Sequence, residues 1–288
     1  MIPLTVGLAL LVGVALGLLG GGGSILTVPL LAYVAGMDAK QAIATSLLVV
    51  GTTSAVAVIS HARAGRVQWR TGLIFGAAGM VGAFGGGLLA RYIPGSVLLI
   101  GFAVMMIATA LAMLRGRKEK EVGDADTHHR IPVPKVIVEG LIVGLVTGLV
   151  GAGGGFLVVP ALALLGGLPM PIAVGTSLVV IAMKSFAGLA GYLSSVSIDW
   201  PIAGMVTAAA VVGALVGARL TALVNPDSLR KAFGWFVLVM SSVILFEEVH
   251  PAAGIAMVAI TILAALIYYV RSRRAGHTPA GKLASAKT

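Results

Sequence analysis

Apolar residues run along the chain in long blocks, at 3–35, 42–60, 72–90, 97–114, 136–165, 172–194, 201–218, 232–246 and 252–270, separated by short polar stretches. Most blocks approach the ~20 residues that carry a helix across a bilayer. The pattern predicts an all-α integral membrane protein. Two blocks depart from it: 3–35 and 136–165 are too long for one upright helix, too short for two, and each is interrupted by glycines near its middle. Each is expected to form a broken helix or a re-entrant hairpin, because backbone that leaves the helix inside a bilayer must be covered by protein. Met1-Ile2-Pro3-Leu4 has no basic stretch or small-residue cleavage site and reads as the beginning of the first membrane segment.

The two broken blocks are copies of one another. At an offset of 131 residues, the run from Gly17 to Pro29 lies over the run from Gly148 to Pro160, with eight of thirteen positions identical. The same offset, without a gap, superposes Ala42 on Ala173, Thr45-Ser46-Leu47 on Thr176-Ser177-Leu178, Ser54 on Ser185, Trp69 on Trp200 and Gly82-Ala83 on Gly213-Ala214. Glycine abundance imitates the first match but not the in-phase Trp and Thr-Ser matches, so an internal repeat is expected. The organisation it predicts is an N-terminal repeat (1–114), a cytoplasmic linker (115–135), a C-terminal repeat (136–248), an extra transmembrane helix (249–271) and a cytoplasmic tail (272–288).

Charge decides the orientation. If both broken segments return to the side they entered from, one side collects Arg63, Arg66 and Arg70, six basic residues of the linker, Arg219, Arg230 and Lys231, and five of the tail. That is seventeen basic residues against Lys40 and Arg91 on the other side. If each segment crosses once, the division is nine against ten. The excess of Lys and Arg on cytoplasmic loops selects the first arrangement, with a cytoplasmic C-terminus, and makes the two repeats inverted. Inverted repeats with paired broken helices are a transporter signature.

Composition narrows the function. Of 288 residues 58% are hydrophobic and 10% charged, and the mean hydropathy is +1.06, which leaves no stretch for a soluble catalytic domain. The net charge of +10 would suggest nucleic acid in a soluble protein, but topology accounts for it here and no nucleic-acid partner is expected. With no cysteine, thiolate metal sites, iron–sulfur clusters and cysteine nucleophiles are excluded. No Asp pair or membrane His cluster supplies an enzyme's machinery. No metal and no cofactor are expected; His128-His129 lies in a mixed-charge linker.

Three features carry candidate chemistry. The glycine-rich loops, with Gly22, Gly23 and Ser24 in one repeat and Gly153, Gly154 and Gly155 in the other, place backbone N–H groups at the start of short helical segments. Helix N-termini attract anions, and two of them entering from opposite faces would cradle one at the midplane. The alternative is that the glycines serve tight turning and helix packing. The loops are not P-loops, because no Lys-Ser/Thr follows the last glycine. The second feature is hydroxyl-bearing: Thr45, Ser46 and Thr53 on one helix, Thr176 and Ser177 on its counterpart. They would donate to an oxyanion, or else bond their own i−4 carbonyls. The third is Lys184, the ionisable residue deep inside a span, where a charge costs ~2.5–3.5 kcal/mol. It suits a bound anion or a proton carrier, with a structural bond to backbone carbonyls as the bland reading.

The paired GLLGGGGSILTVPLL and GLVGAGGGFLVVPAL, each followed by an A-x-x-T-S-L helix (Ala42 to Leu47, Ala173 to Leu178), resemble the TauE/SafE family of sulfite exporters, also called toluene sulfonate uptake permeases. The resemblance covers about residues 1–270. It implies a multi-pass transporter of the bacterial inner (plasma) membrane for sulfur-containing anions of the sulfite, thiosulfate, sulfonate or sulfoacetate type. The family motif transfers to the glycine loops and the Thr-Ser pairs; Lys184 comes from the physical reading alone. The expectation is alternating access around a midplane anion site, with a bilayer and a small anion as partners and proton coupling left open. The alternative is a channel with aquaporin-like opposed half-helices. Substrate, direction and oligomeric state are not set by the sequence.

Overall fold

The structure, a computed structural model, describes residues 2–19, 22–115, 133–151, 153–160, 162, 168–220 and 226–249. Their regular structure is helical: α1 (Ile2–Leu19), a 3₁₀ turn (Gly22–Leu26), α2 (Thr27–Pro29), a π turn (Leu30–Val34), α3 (Ala39–Arg63), α4 (Trp69–Leu89), a 3₁₀ turn (Ala90–Tyr92), α5 (Gly95–Arg115), α6 (Val133–Val150), α7 (Gly155–Pro160), α8 (Met170–Tyr192), α9 (Trp200–Leu220) and α10 (Pro226–Glu248). No strand occurs among the described residues. Among the described residues four helices, 39–63, 69–92, 171–192 and 200–220, are long and apolar enough to cross a membrane. The expected extra helix (249–271) and the tail fall, apart from Val249, outside the described residues, as does most of the linker.

Local chemistry sets the ends of these helices. Asp38 caps α3, its carboxylate accepting from Lys40 N–H at 3.1 Å, and Asp199 Oδ1 does the same for Ile202 N–H at the start of α9. The α3–α4 connection turns at Gly65, whose φ of 66° suits glycine. Pro169 precedes α8 and Pro171 stands in its first turn, where a missing N–H leaves no bond unmade. Both broken blocks are interrupted as expected: α1 ends at Leu19 before the turn at Gly22, and α6 ends at Val150 before α7 begins at Gly155.

The first residues of the helices recur at the repeat offset. Ile2, Ala39, Trp69 and Gly95 begin α1, α3, α4 and α5, and 131 residues later Val133, Met170, Trp200 and Pro226 begin α6, α8, α9 and α10. The contacts between helices recur as well, with the halves exchanged. A Cβ on Gly13 or Gly17 of α1 would strike the carbonyl of Ala210 or Ala214 on α9. Their counterparts on α6, Gly144 and Gly148, are held in the same way against Gly79 and Ala83 of α4. Gly213 and Gly217 press on Leu10 and Val14, while Gly82 and Gly86 press on Leu141 and Leu145. Small residues let these backbones touch, which is how helices gain packing where lipid offers no hydrophobic drive.

Between these two crossings lie α3 and α8, antiparallel. Gly51 packs on Ser185 and Phe186, Gly188 meets Leu47, and Gly175 meets His61. Residues near 53 and 184 are therefore level with each other, at the middle of the pair.

Candidate functional site

Lys184 occupies that middle. It is 1% exposed, and its Nζ has no hydrogen-bond partner. The buried polar residues around the described core are Ser, Thr and this lysine, with no carboxylate among them. The side chain runs over Gly79 of α4, which a Cβ would bring to 3.7 Å from Lys184 Cβ and 3.9 Å from Cδ. Its Nζ ends against Gly154: a Cβ on that glycine would overlap both Lys184 Nζ and Thr147 Cγ2. Thr147 turns its hydroxyl away, donating to the carbonyls of Val143 at 2.7 Å and Gly144 at 3.1 Å.

The loop that receives the ammonium is built from left-handed glycines. Gly151, Gly153 and Gly154 have φ of 74°, 59° and 62°, a conformation that costs an L-residue about 1–2 kcal/mol. Gly153 also faces the first loop, since its Cβ would lie 3.5 Å from Ser24 Cβ and collide with Val50. The two loops thus meet beside Lys184. Ser46 secures the second loop from α3 by donating to Gly151 O at 3.1 Å, and Tyr192 secures the end of α6 by donating its hydroxyl to Leu149 O at 2.5 Å.

The residues singled out from sequence do not all converge here. Ser24, Gly153, Gly154 and Lys184 come together. Gly22 opens the first helical turn and Gly155 opens α7. Thr176 lies at the far end of α8, where its Oγ1 accepts from Gln68 N–H at 2.9 Å; Ser177 beside it donates to Val174 O at 2.7 Å. Thr45 and Ser46 stand toward the opposite end, so the two Thr-Ser pairs lie roughly 12 Å to either side of Lys184 along the helices. Thr53 donates to the carbonyls of Val49 and Val50, at 2.8 and 3.1 Å. Thr45 Oγ1 and Ser185 Oγ are buried without a partner. Thr147 escaped the sequence reading; the signal for it was its place in Thr147-Gly148, at the entry to the repeated motif.

A cavity of about 500 Å³, its open mouth included, lies between α1, α3, α8 and α9. Thr53, Ser54, Ser60 and His61 line one wall, and Gly17, Leu178, Ala214 and Ala218 line the others. It leads from the α3–α4 turn toward the level of Thr53. His61 is half-buried and its Nδ1 has no partner. No group of three or more His, Cys, Asp or Glu side chains is placed to hold a metal ion among the described residues.

Residues 5–244 match the family described as sulfite exporter TauE/SafE. A probable membrane transporter protein of Xylella fastidiosa (strain 9a5c) is 35% identical over 249 residues, covering 85% of this chain and 95% of that protein. Similarity extends to the probable membrane transporter protein YdhB of Bacillus subtilis, 29% identical over 223 residues (77% of this chain, 91% of that protein). It also reaches the probable membrane transporter protein MJ0441 of Methanocaldococcus jannaschii, 27% identical over 245 residues (80% and 90%). No solved structure is significantly similar to the chain.

Proposed function

The chain belongs to the TauE/SafE sulfite exporter family of membrane transporters, and we propose that it carries small sulfur-containing anions, of the sulfite, thiosulfate, sulfonate or sulfoacetate type, to and from a site at Lys184. One observation carries the reading: a fully buried lysine whose Nζ has no hydrogen-bond partner, ending against a glycine loop, in a core with no described carboxylate. A charge in that position is costly until a counter-ion arrives. A sulfur oxyanion supplies the charge, and the bare backbone at Gly153 and Gly154, with Ser24 beside them, leaves its oxygens donors within reach.

Two inverted halves, 1–114 and 136–248, would then alternate in exposing the site to each face. The exchanged helix contacts at a constant offset and the antiparallel α3–α8 pair support the inverted arrangement. The distribution of Lys and Arg favours a cytoplasmic position for the linker and C-terminus in the bacterial inner membrane. A cavity between α1, α3, α8 and α9 that opens beside the α3–α4 turn favours a carrier over a channel, which needs a continuous water-filled path. Proton uptake and release by Lys184 would couple the flux to a proton gradient.

The test is ligand-induced stabilisation of purified protein in detergent, titrating sulfite, thiosulfate, sulfate and methanesulfonate against wild type and Lys184→Met. One sulfur anion is expected to raise the wild-type melting temperature, by about 2.7 kcal/mol of stability at a hundredfold excess over Kd, and to leave the mutant unmoved. A monodisperse wild type that responds to none of the four would end the anion assignment.

A further inference from the structure

Several residues lining the cavity beside Thr53 have repeat counterparts that are packed together. The repeat offset carries Thr53, Ser54 and His61 of the cavity wall onto Lys184, Ser185 and Tyr192, and Gly17 onto Gly148; in reverse it carries Ala214 and Leu178 onto Ala83 and Leu47. The first set borders open space, which Lys184 does not line, although Thr53 and Ser54 are themselves each 2% exposed; His61 is the half-buried member. The second is packed: Lys184 is 1% exposed and Ser185 and Tyr192 are 0%, and Gly188 lies close to Leu47, Ala83 and Gly148 together.

The difference between the halves extends to a single hydrogen bond. Tyr192 donates to Leu149 O, a carbonyl in the last turn of α6, where the helix itself provides no donor. The corresponding pair in the first half is His61 and Leu18, which lies in the last turn of α1. His61 lines the open cavity, and its Nδ1 is buried without a partner. One latch is fastened and the other is undone.

We propose that His61 and Tyr192 are alternating latches on two access routes to the Lys184 site. This rests on the inverted-repeat transporter reading above. With Tyr192 held on Leu149, the route past Ser185 is closed, and the route past Ser54 is open on the side of Arg63 and Arg66, the cytoplasmic side by charge. In the opposite state His61 donates to Leu18 O and closes the cavity, while Tyr192 releases Leu149 and opens Lys184 to the outer face. Each state keeps one such bond, so the exchange loses no hydrogen bond overall and the two packings stay close in free energy.

The chain has no cysteine, so Ser54→Cys and Ser185→Cys can be read singly, in the full-length protein, with a membrane-impermeant thiol reagent applied to intact cells and to inside-out vesicles. Ser54→Cys is expected to react from the cytoplasmic face and Ser185→Cys from the outer face. Adding Tyr192→Phe should raise the outer-face rate at Ser185→Cys by about fivefold and lower the cytoplasmic rate at Ser54→Cys, the shift expected from losing one net hydrogen bond. The exchange of both residues, His61→Tyr with Tyr192→His, should shift reactivity in the same direction, and it is read where Tyr192→Phe alone does not yield monodisperse protein. Reaction of both cysteines from one face, or rates unmoved by the folded exchange variant, would overturn the latches. If the rates shift as stated but no sulfur anion protects Ser185→Cys, the latches stand and the substrate assignment falls.

Discussion

Lys184 carries its Nζ into the space that a side chain on Gly154 would fill. The pair explains why a glycine stands there twice over: its φ is left-handed, and its missing Cβ is the room the ammonium uses. Thr147 shares the contact through its methyl group, while its hydroxyl donates to Val143 O and Gly144 O.

Gly154→Ala should therefore combine about 1–2 kcal/mol of backbone strain with the displacement of Lys184 or Thr147. We expect a loss of roughly 3 kcal/mol in a reversible unfolding assay and no anion-induced stabilisation. An alanine variant that melts and binds as wild type does would contradict the contact.

Lys184→Met is expected to make the ligand-free protein more stable, by about 1–3 kcal/mol, since it removes a buried charge that no described group neutralises. Lys184→Arg should not restore the anion response, because the wider guanidinium has no room between Gly79 and Gly154. Denaturant midpoints in the absence and presence of the anion separate the two effects.

Ser177→Ala should leave anion binding unchanged, as its hydroxyl donates to Val174 O within its own helix. Ser46→Ala removes the donor to Gly151 O and should cost about 1 kcal/mol while loosening the second loop. Melting temperature and anion titration on the two variants distinguish a residue that holds the loop from one that serves only its own turn.

At the helix crossings, Gly144→Val and Gly13→Val should each destabilise by about 1–3 kcal/mol, since a side chain at either position meets a carbonyl of the opposing helix. Gly101→Ala, which faces open space, should change stability by less than about 0.5 kcal/mol. Equal effects at all three positions would argue against backbone contact at the crossings.

Lys184 was legible in the sequence because a charge inside an apolar span is conspicuous on composition alone, and the two breaks were legible because glycine runs interrupt otherwise continuous helices. The Thr-Ser pairs, equivalent by the repeat offset, do not meet. Equivalent positions on antiparallel α3 and α8 come level only near the middle, at Thr53 and Lys184, and residues eight positions away move apart in opposite directions. Their repetition marks the repeat unit rather than a shared contact surface.

Hydrophobic block length, glycine placement and the 131-residue offset determined by themselves that the described residues are helical, that helix starts recur, and that the chain is built for a bilayer, because those properties depend on residues close in sequence or on their periodic recurrence. Tertiary structure decided which side chains meet. It set Lys184 against Gly154, turned the hydroxyls of Thr53 and Ser177 back onto their own helices, and fastened Tyr192 to Leu149 while leaving His61 Nδ1 without a partner. Those outcomes depend on how α4, α6, α3 and α8 pack, and packing between helices distant in sequence is fixed by the fit of whole surfaces rather than by any local pattern.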